Sequence, residues 1–214
     1  MTPPLLVCGE ATMNAENIIE TFIHATSTKR MLRTGWSIAG VRLGRDESVA
    51  EHTWGTTFLT LLISKSLISS GEKLDLEKAL AMAIIHDLAE SKISDVPLTA
   101  TELGGDQFRI GKRNAELAAL KAIFSRLNEF RQESVSLLQE FSESVSLESK
   151  IVQGSDVLDM LFHAILLERN GVKPSILAQF FRSGQDKLNS LNLPLANEIF
   201  DFLSAEHEAN LKRL

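Results

Sequence analysis

Apolar residues recur every three to four positions along nearly the whole of this chain, and two-residue alternation is scarce. A sequence with that period has few options besides packed α-helices. The spacing predicts helices over 15–31, 46–69, 75–91, 106–127, 133–141, 147–169, 175–188 and 195–211. Ser48 and Asp75 are residue types that cap helix N-termini, while "SSG" ending at Gly71 and "NGVKP" after Arg169 stop helices. The stretch "RTGWSIAGVRLGRDES" lacks helical period and lies before the second helix; loops of that length are often functional. No internal repeat or long linker divides the 214 residues, so a compact all-α multi-helix bundle is expected.

Charge and composition exclude some roles. The net charge of −6 argues against duplex nucleic acid as partner, though a small phosphorylated ligand needs only a local positive site. The single Cys8 rules out an intrachain disulfide framework and suits a reducing, cytoplasmic compartment. The apolar stretch near Trp54–Ile63 is too short to span a bilayer, and the start "MTPPLLVCGEATM" lacks the basic residues of a signal peptide. No membrane partner is expected.

Within the third predicted helix, the apolar run Ala79–Ile85 meets His86 and Asp87 at once, and Glu90 follows one turn later. Three polar groups on an otherwise apolar helix need partners, since an unpaired buried carboxylate costs several kcal/mol. A divalent cation would satisfy carboxylate and imidazole together. His52 shares a helix face with Val49, Gly55, Thr56 and Leu59, and Gly55 leaves room for a close neighbour. Asp156 shares a face with Val152 and Met160. His52, His86, Asp87 and Asp156 together make a mixed nitrogen and oxygen set suited to Mn, Fe, Co or Zn. Taken singly, each has a plainer reading: His52 as a hydrogen-bonded core residue, Asp156 as a partner of Lys150. Asp159 and His163 extend the Asp156 face, as supports of the ligands or as core residues; His24 and His207 are expected at the surface or an interface.

At these residues the chain resembles the HD-domain metal-dependent phosphohydrolases, whose motif is H…HD…D. "RTGW…AGV…ESVAEHT", "HDLAES…SDVP" and "SDVLDMLFHA" resemble more closely the HD-domain 5′-deoxynucleotidases of the YfbR type, over about residues 29–169. The resemblance implies a single HD domain over 1–214, with its core at about 29–170 and the C-terminal helices of 175–214 packed on it or in a dimer interface. It implies a homodimer that removes phosphate from a (deoxy)ribonucleoside 5′-monophosphate with one divalent metal ion (Mn, Co, Fe, Zn or Mg). His52, His86, Asp87 and Asp156 are then metal ligands, and Glu90 positions or deprotonates the attacking water. Asp95 lies near the sugar hydroxyls, with Arg33 and Trp36 near phosphate and sugar; Lys92 and Lys112 are further basic candidates. Two departures stand out: Ser94-Asp95 replaces the family's Gly-Asp, and "TG" separates Arg33 from Trp36. Two alternatives stay open, an HD-type hydrolase of another nucleotide (triphosphate, cyclic nucleotide or alarmone) and a non-catalytic helical metal-binding regulatory module.

Overall fold

The computed structural model describes residues 13–41 and 47–213. Cys8, the N-terminal start and the helix onset expected at Asp46 lie outside them. The helices in chain order are α1 (Ala15–Thr26), α2 (Thr34–Ile38), α3 (Val49–Ser69), α4 (Leu76–Ile85), α5 (Glu90–Ile93), α6 (Leu98–Ile123), α7 (Asn128–Glu143), α8 (Leu147–Arg169), α9 (Pro174–Leu191) and α10 (Pro194–Lys212). A 3₁₀ turn, Ser27–Arg30, follows α1. Among the described residues there is no strand, only an isolated antiparallel bridge between Leu32 and Ser48. No helix among them is long and apolar enough to cross a membrane.

The all-α expectation holds, and α3 and α8 form its central pair. Ser48 starts α3 with a capping box: its hydroxyl accepts the Glu51 N–H at 3.2 Å while the Glu51 carboxylate accepts the Ser48 N–H at 2.9 Å. This fixes where the first turn begins, and so the direction of His52. The largest core cluster joins Ile63 of α3 and Leu158, Leu161 and Ile165 of α8 to Leu177 and Leu188 of α9 and Phe200 and Leu203 of α10. The C-terminal helices thus pack on α8. A second cluster, including Leu120, Phe124 and Leu138, joins α6 to α7; a third joins α4 to α7 and α8 through Met82, Leu137 and Val152.

The structure departs from the sequence-based helices at several ends. The first helix closes at Thr26, because the Ser27 and Thr28 hydroxyls bond back to the carbonyls of His24 and Ala25 and compete with the α ladder. The supposed loop before the second helix contains α2. The third helix ends at Ile85, short of Ser91. The fourth starts at Leu98, behind Pro97, and breaks at Gly105, whose φ of 64° only glycine adopts readily. The fifth is longer than expected and closes at Ser144 in the left-handed region. His24 is exposed. His207 is buried, contrary to expectation: its ring stacks on Phe181 and its Nδ1 lies 2.5 Å from Glu168 Oε1.

One polar clamp holds α4 against α7 and α8. Lys78 Nζ donates to Glu140 Oε1 at 2.8 Å and lies 3.3 Å from Glu148 Oε2, while Glu148 Oε1 accepts the Asp75 N–H at 2.8 Å. Burial raises both carboxyls, but these contacts outweigh it and hold them below the usual carboxylate range; Lys78 is raised, chiefly by Glu140. Carboxylates depressed in the folded state stabilise it above their unfolded pKa of about 4.3, and that stabilisation is lost as pH falls through the folded values. Lys78 stays charged throughout this range. Lys78→Met is therefore expected to cost on the order of 1 kcal/mol at neutral pH and to make the loss of stability below about pH 4 shallower than in the wild type. Urea melts between pH 3 and 7 measure both.

Candidate metal centre

α4 ends where the chain tightens. From Ile85 the backbone bonds run from residue i to i−3: Leu88 N to Ile85 O at 3.0 Å, Glu90 N to Asp87 O at 3.1 Å, Ser91 N to Leu88 O at 3.1 Å. His86 therefore sits at the helix C-cap, and the HD pair lies on a 3₁₀-like turn, not inside an α-helix. On this winding residues three apart eclipse one another, which sets Glu90 over Asp87.

The turn brings His86 and Asp87 to the first turns of α3 and the middle of α8. His52 Nε2 lies 3.0 Å from Asp156 Oδ1 and 3.5 Å from Asp87 Oδ2, and His86 Nε2 lies 3.2 Å from Asp87 Oδ2. The two imidazole rings are 5.5 Å apart. Asp156 does not point wholly inward as expected; its side chain is 32% exposed, with His52 fully buried beneath it. Each His has its other nitrogen occupied, His86 Nδ1 by the Ala83 carbonyl at 2.8 Å and His52 Nδ1 by Asp159 Oδ2 at 2.7 Å. The carbonyl only accepts, so His86 carries its hydrogen on Nδ1 and leaves a lone pair on Nε2. Both Nε2 atoms are buried with no hydrogen-bond partner.

Two lone pairs facing two carboxylates repel unless something positive lies between them, and this donor set fits a divalent cation. Among the described residues, His52, His86 and Asp87 bring ligand atoms close enough together for one ion, and so do Glu47, His52 and Asp159. Without an ion, protons take its place. Burial opposes charging His86, but Asp87 and Asp156 push it up to about 9. His52 is raised by Asp156 and Asp159 against burial and Arg33. Burial raises Asp87, yet His86, His52 and Arg33 hold it well below the usual range.

The remaining expected residues separate into two groups. Glu90, 7% exposed, has Oε2 buried without a partner. Burial, Asp87 and Asp95 push its carboxyl up to about 9, and Arg33 and Lys112 oppose them. Arg33 Nη1 is likewise buried and unpartnered; burial lowers its pKa, but Asp156, Glu47, Asp87 and Asp95 raise it overall. Lys112 also feels Asp87 and Glu90, while pairing with Glu116 at 3.0 Å. Lys92 is exposed. Asp95 Oδ2 accepts both the N–H and the hydroxyl of Thr34, at 2.5 and 2.8 Å, so it secures the start of α2.

Trp36 is a correction. It is 2% exposed, its indole N–H donates to Glu47 Oε2 at 2.9 Å, and its ring packs on His163 and Phe180. It belongs to the core cluster and does not stand open beside Arg33 as the resemblance implies. Sequence reasoning missed Glu47, which sat in an apparent loop, and Lys187 of α9, which Asp156 pulls up while burial pulls it down. No spacing in the sequence links Lys187 to Asp156.

A family model described as "HD domain" matches residues 25–192. The chain is similar to the 5′-deoxynucleotidase HDDC2 of Bos taurus, 27% identical over 198 residues, covering 92% of this chain and 89% of that one. It is also similar to the 5′-deoxynucleotidase HDDC2 of Danio rerio, 26% identical over 175 residues and 81% of each chain. Among solved structures, a conserved hypothetical protein from Pyrococcus furiosus superposes with a TM-score of 0.73 at 36% identity, over 87% of this chain and 99% of that one.

Ser94, where the resemblance expects Gly, has φ 68° and ψ 161°. That region is nearly exclusive to glycine and costs other residues about 1–3 kcal/mol. Ser94→Gly is expected to raise the melting temperature, read by calorimetry, with Asp95 left in place.

Proposed function

Because the chain belongs to the HD domain family, we propose that it is a metal-dependent phosphohydrolase that removes phosphate from a (deoxy)ribonucleoside 5′-monophosphate. The observation that carries this reading is the pair of buried, unpartnered Nε2 atoms facing Asp87 and Asp156, with Glu90 and Arg33 alongside. The names of the curated relatives support the choice of substrate. His52, His86, Asp87 and Asp156 would hold one divalent cation, with Mn, Co, Fe, Zn and Mg as its candidates. When bound, such an ion lowers the pKa of water and polarises a phosphate oxygen.

The chain's own residues supply the rest. The Arg33 guanidinium, held among four carboxylates, gives a charge-assisted contact to phosphate. Glu90 orients the attacking water and takes its proton; Arg33 and Lys112 favour its ionised form, and a cation in the site would add to them. Asp95 meets the sugar from the Arg33–Thr34 side, and Lys112 flanks the phosphate. A purely structural metal site would have no use for a buried carboxyl placed beside the ligands as Glu90 is, which favours the enzyme over a regulatory module. Phosphate release from a panel of nucleoside mono-, tri- and cyclic phosphates tests the substrate class.

The proposal includes a cytoplasmic homodimer with no nucleic acid or membrane partner. A single cysteine and the net charge of −6 support the compartment and the absence of a polyanion. For the dimer, α3 exposes Trp54 (71%), Phe58 and Leu62 at every fourth position, with the Trp54 and Phe58 rings stacked at 5.6 Å. Phe162 and Leu166 of the adjoining α8 are exposed too. Apolar residues grouped in this way mark association surfaces. Phe58→Asp with Leu62→Asp is expected to halve the mass in sedimentation equilibrium; an unchanged mass would rule out this face.

Binding and chemistry separate at Glu90. Glu90→Gln keeps the shape and removes the base, so metal stoichiometry should stay near that of the wild type while kcat falls by about 10²–10⁴. His86→Ala should lose metal and activity together. Metal analysis beside phosphate release on both variants makes the test: Glu90→Gln without metal would make Glu90 a ligand, and full rate would give the proton to another group.

A further inference from the structure

Both ring nitrogens of His52 face carboxylates. Nε2 looks toward Asp156 and Asp87, and Nδ1 lies 2.7 Å from Asp159 Oδ2. Asp159 reaches that nitrogen across Gly55. A Cβ on Gly55 would stand 1.9 Å from Asp159 Oδ1 and 2.6 Å from its Cγ, so any side chain at 55 evicts the carboxylate from its present position. Gly55 lies well inside α3, where glycine is a poor helix former and no turn requires it. The close approach of Asp159 is what the structure gains there.

Glu47, His52 and Asp159 also bring three ligand-type atoms together, which is the pattern of a second cation site. Their contacts argue otherwise. The distance from His52 Nδ1 to Asp159 is that of a hydrogen bond, and Glu47 Oε2 already accepts the Trp36 indole N–H. His86 differs: its Nδ1–H goes to a neutral backbone carbonyl. A carboxylate in that place fixes tautomer and ring orientation and makes the opposite nitrogen a stronger donor.

We propose that Asp159, seated in the space left by Gly55, is a positioning residue: it holds His52 with its hydrogen on Nδ1 and turns Nε2 toward the cation site. This rests on His52 being a metal ligand. The test uses full-length protein and Co(II) alone, with affinity measured by chelator competition for the wild type, D159A, D159N, G55A, G55A/D159A and H52A. Histidine ¹⁵N shifts of the metal-free protein, taken at a pH alkaline enough for the imidazoles to be neutral, report the His52 tautomer.

D159A should weaken Co(II) binding roughly 10- to 100-fold and replace a single Nδ1–H tautomer by a mixture. G55A should do the same. The double variant should be no weaker than D159A, because the carboxylate that the added methyl group would displace is gone. D159N keeps an acceptor oxygen and should recover part of the loss. The tautomer signature is read on folded protein, so a general loss of stability does not imitate it. If H52A loses affinity while D159A and G55A match the wild type in affinity and tautomer, the positioning role is overturned and the ligand reading stands. If H52A binds like the wild type, the ligand reading itself fails. Two Co(II) per chain, falling to one in D159A, would replace the positioning role with a second cation site.

Discussion

Asp156 and Asp159, three residues apart on α8, bracket one imidazole: an oxygen of the first stands 3.0 Å from His52 Nε2 and an oxygen of the second 2.7 Å from Nδ1. Residues at that spacing share a helix face, so a single helix grips both edges of a ring that belongs to another helix. The grip is tense. Asp156, Asp87 and the His52 and His86 lone pairs crowd one small space, and only protons or a cation relieve them. Groups that repel one another stay together only if the elements carrying them cannot move apart.

The packing of α8 supplies that rigidity. Gly154 of α8 admits Leu191, Leu193 and Ala196, whose nearest atoms would lie 3.5–3.7 Å from a Cβ there. Gly184 of α9 sits closer still over Val157 and Leu161 of α8, whose atoms would lie 3.1–3.4 Å from a Cβ there. These near-backbone contacts fix the rotation of α8 from the side opposite the site, because close-packed interiors resist even small displacements. A rotation of α8 would move Asp156 and Asp159 together and release both nitrogens of His52 at once. The C-terminal helices, remote in sequence from the HD pair, therefore bear on its geometry.

What the sequence made legible follows the same physics. The helix over 147–169 is found with those bounds, since a long periodic run between a Ser cap and an Asn-Gly stop leaves little freedom. The approach of His52, His86 and Asp87 to one another is foreshadowed because polar groups break apolar stripes, while Asp156 reaches His52 from a partly exposed position. The change of winding after Ile85 cannot be read, because the same residues suit an α or a 3₁₀ turn and nothing in their local pattern selects between them. Trp36 misleads because its indole N–H needs an acceptor, Glu47, that is 11 residues on. His207 continues the buried stripe of Ala196, Phe200 and Leu203 at helical spacing, so its burial is readable from the period, whereas its partners Phe181 and Glu168, from two other helices, are not.

His52 and Asp156 stand on long helices and the HD pair on the turn behind α4, whereas Arg33 and Asp95 stand on short segments, and these are clamped differently. Arg33 donates its own N–H to the Glu47 carbonyl at 2.9 Å, and the next residue, Thr34, donates N–H and hydroxyl to Asp95. The peptide from which the guanidinium springs is thus held on both sides. Glu47 in turn accepts the Trp36 indole, so the buried tryptophan steadies the segment. Asp95 consequently bears on Arg33: whatever displaces its carboxylate also loosens the backbone under that guanidinium. Ser94, strained at positive φ, sets the direction from which Asp95 approaches. Ser94→Gly relieves that strain without removing Asp95, so its effect stays within this segment, and the helices that carry His52, Asp156 and Asp159 remain where the core holds them.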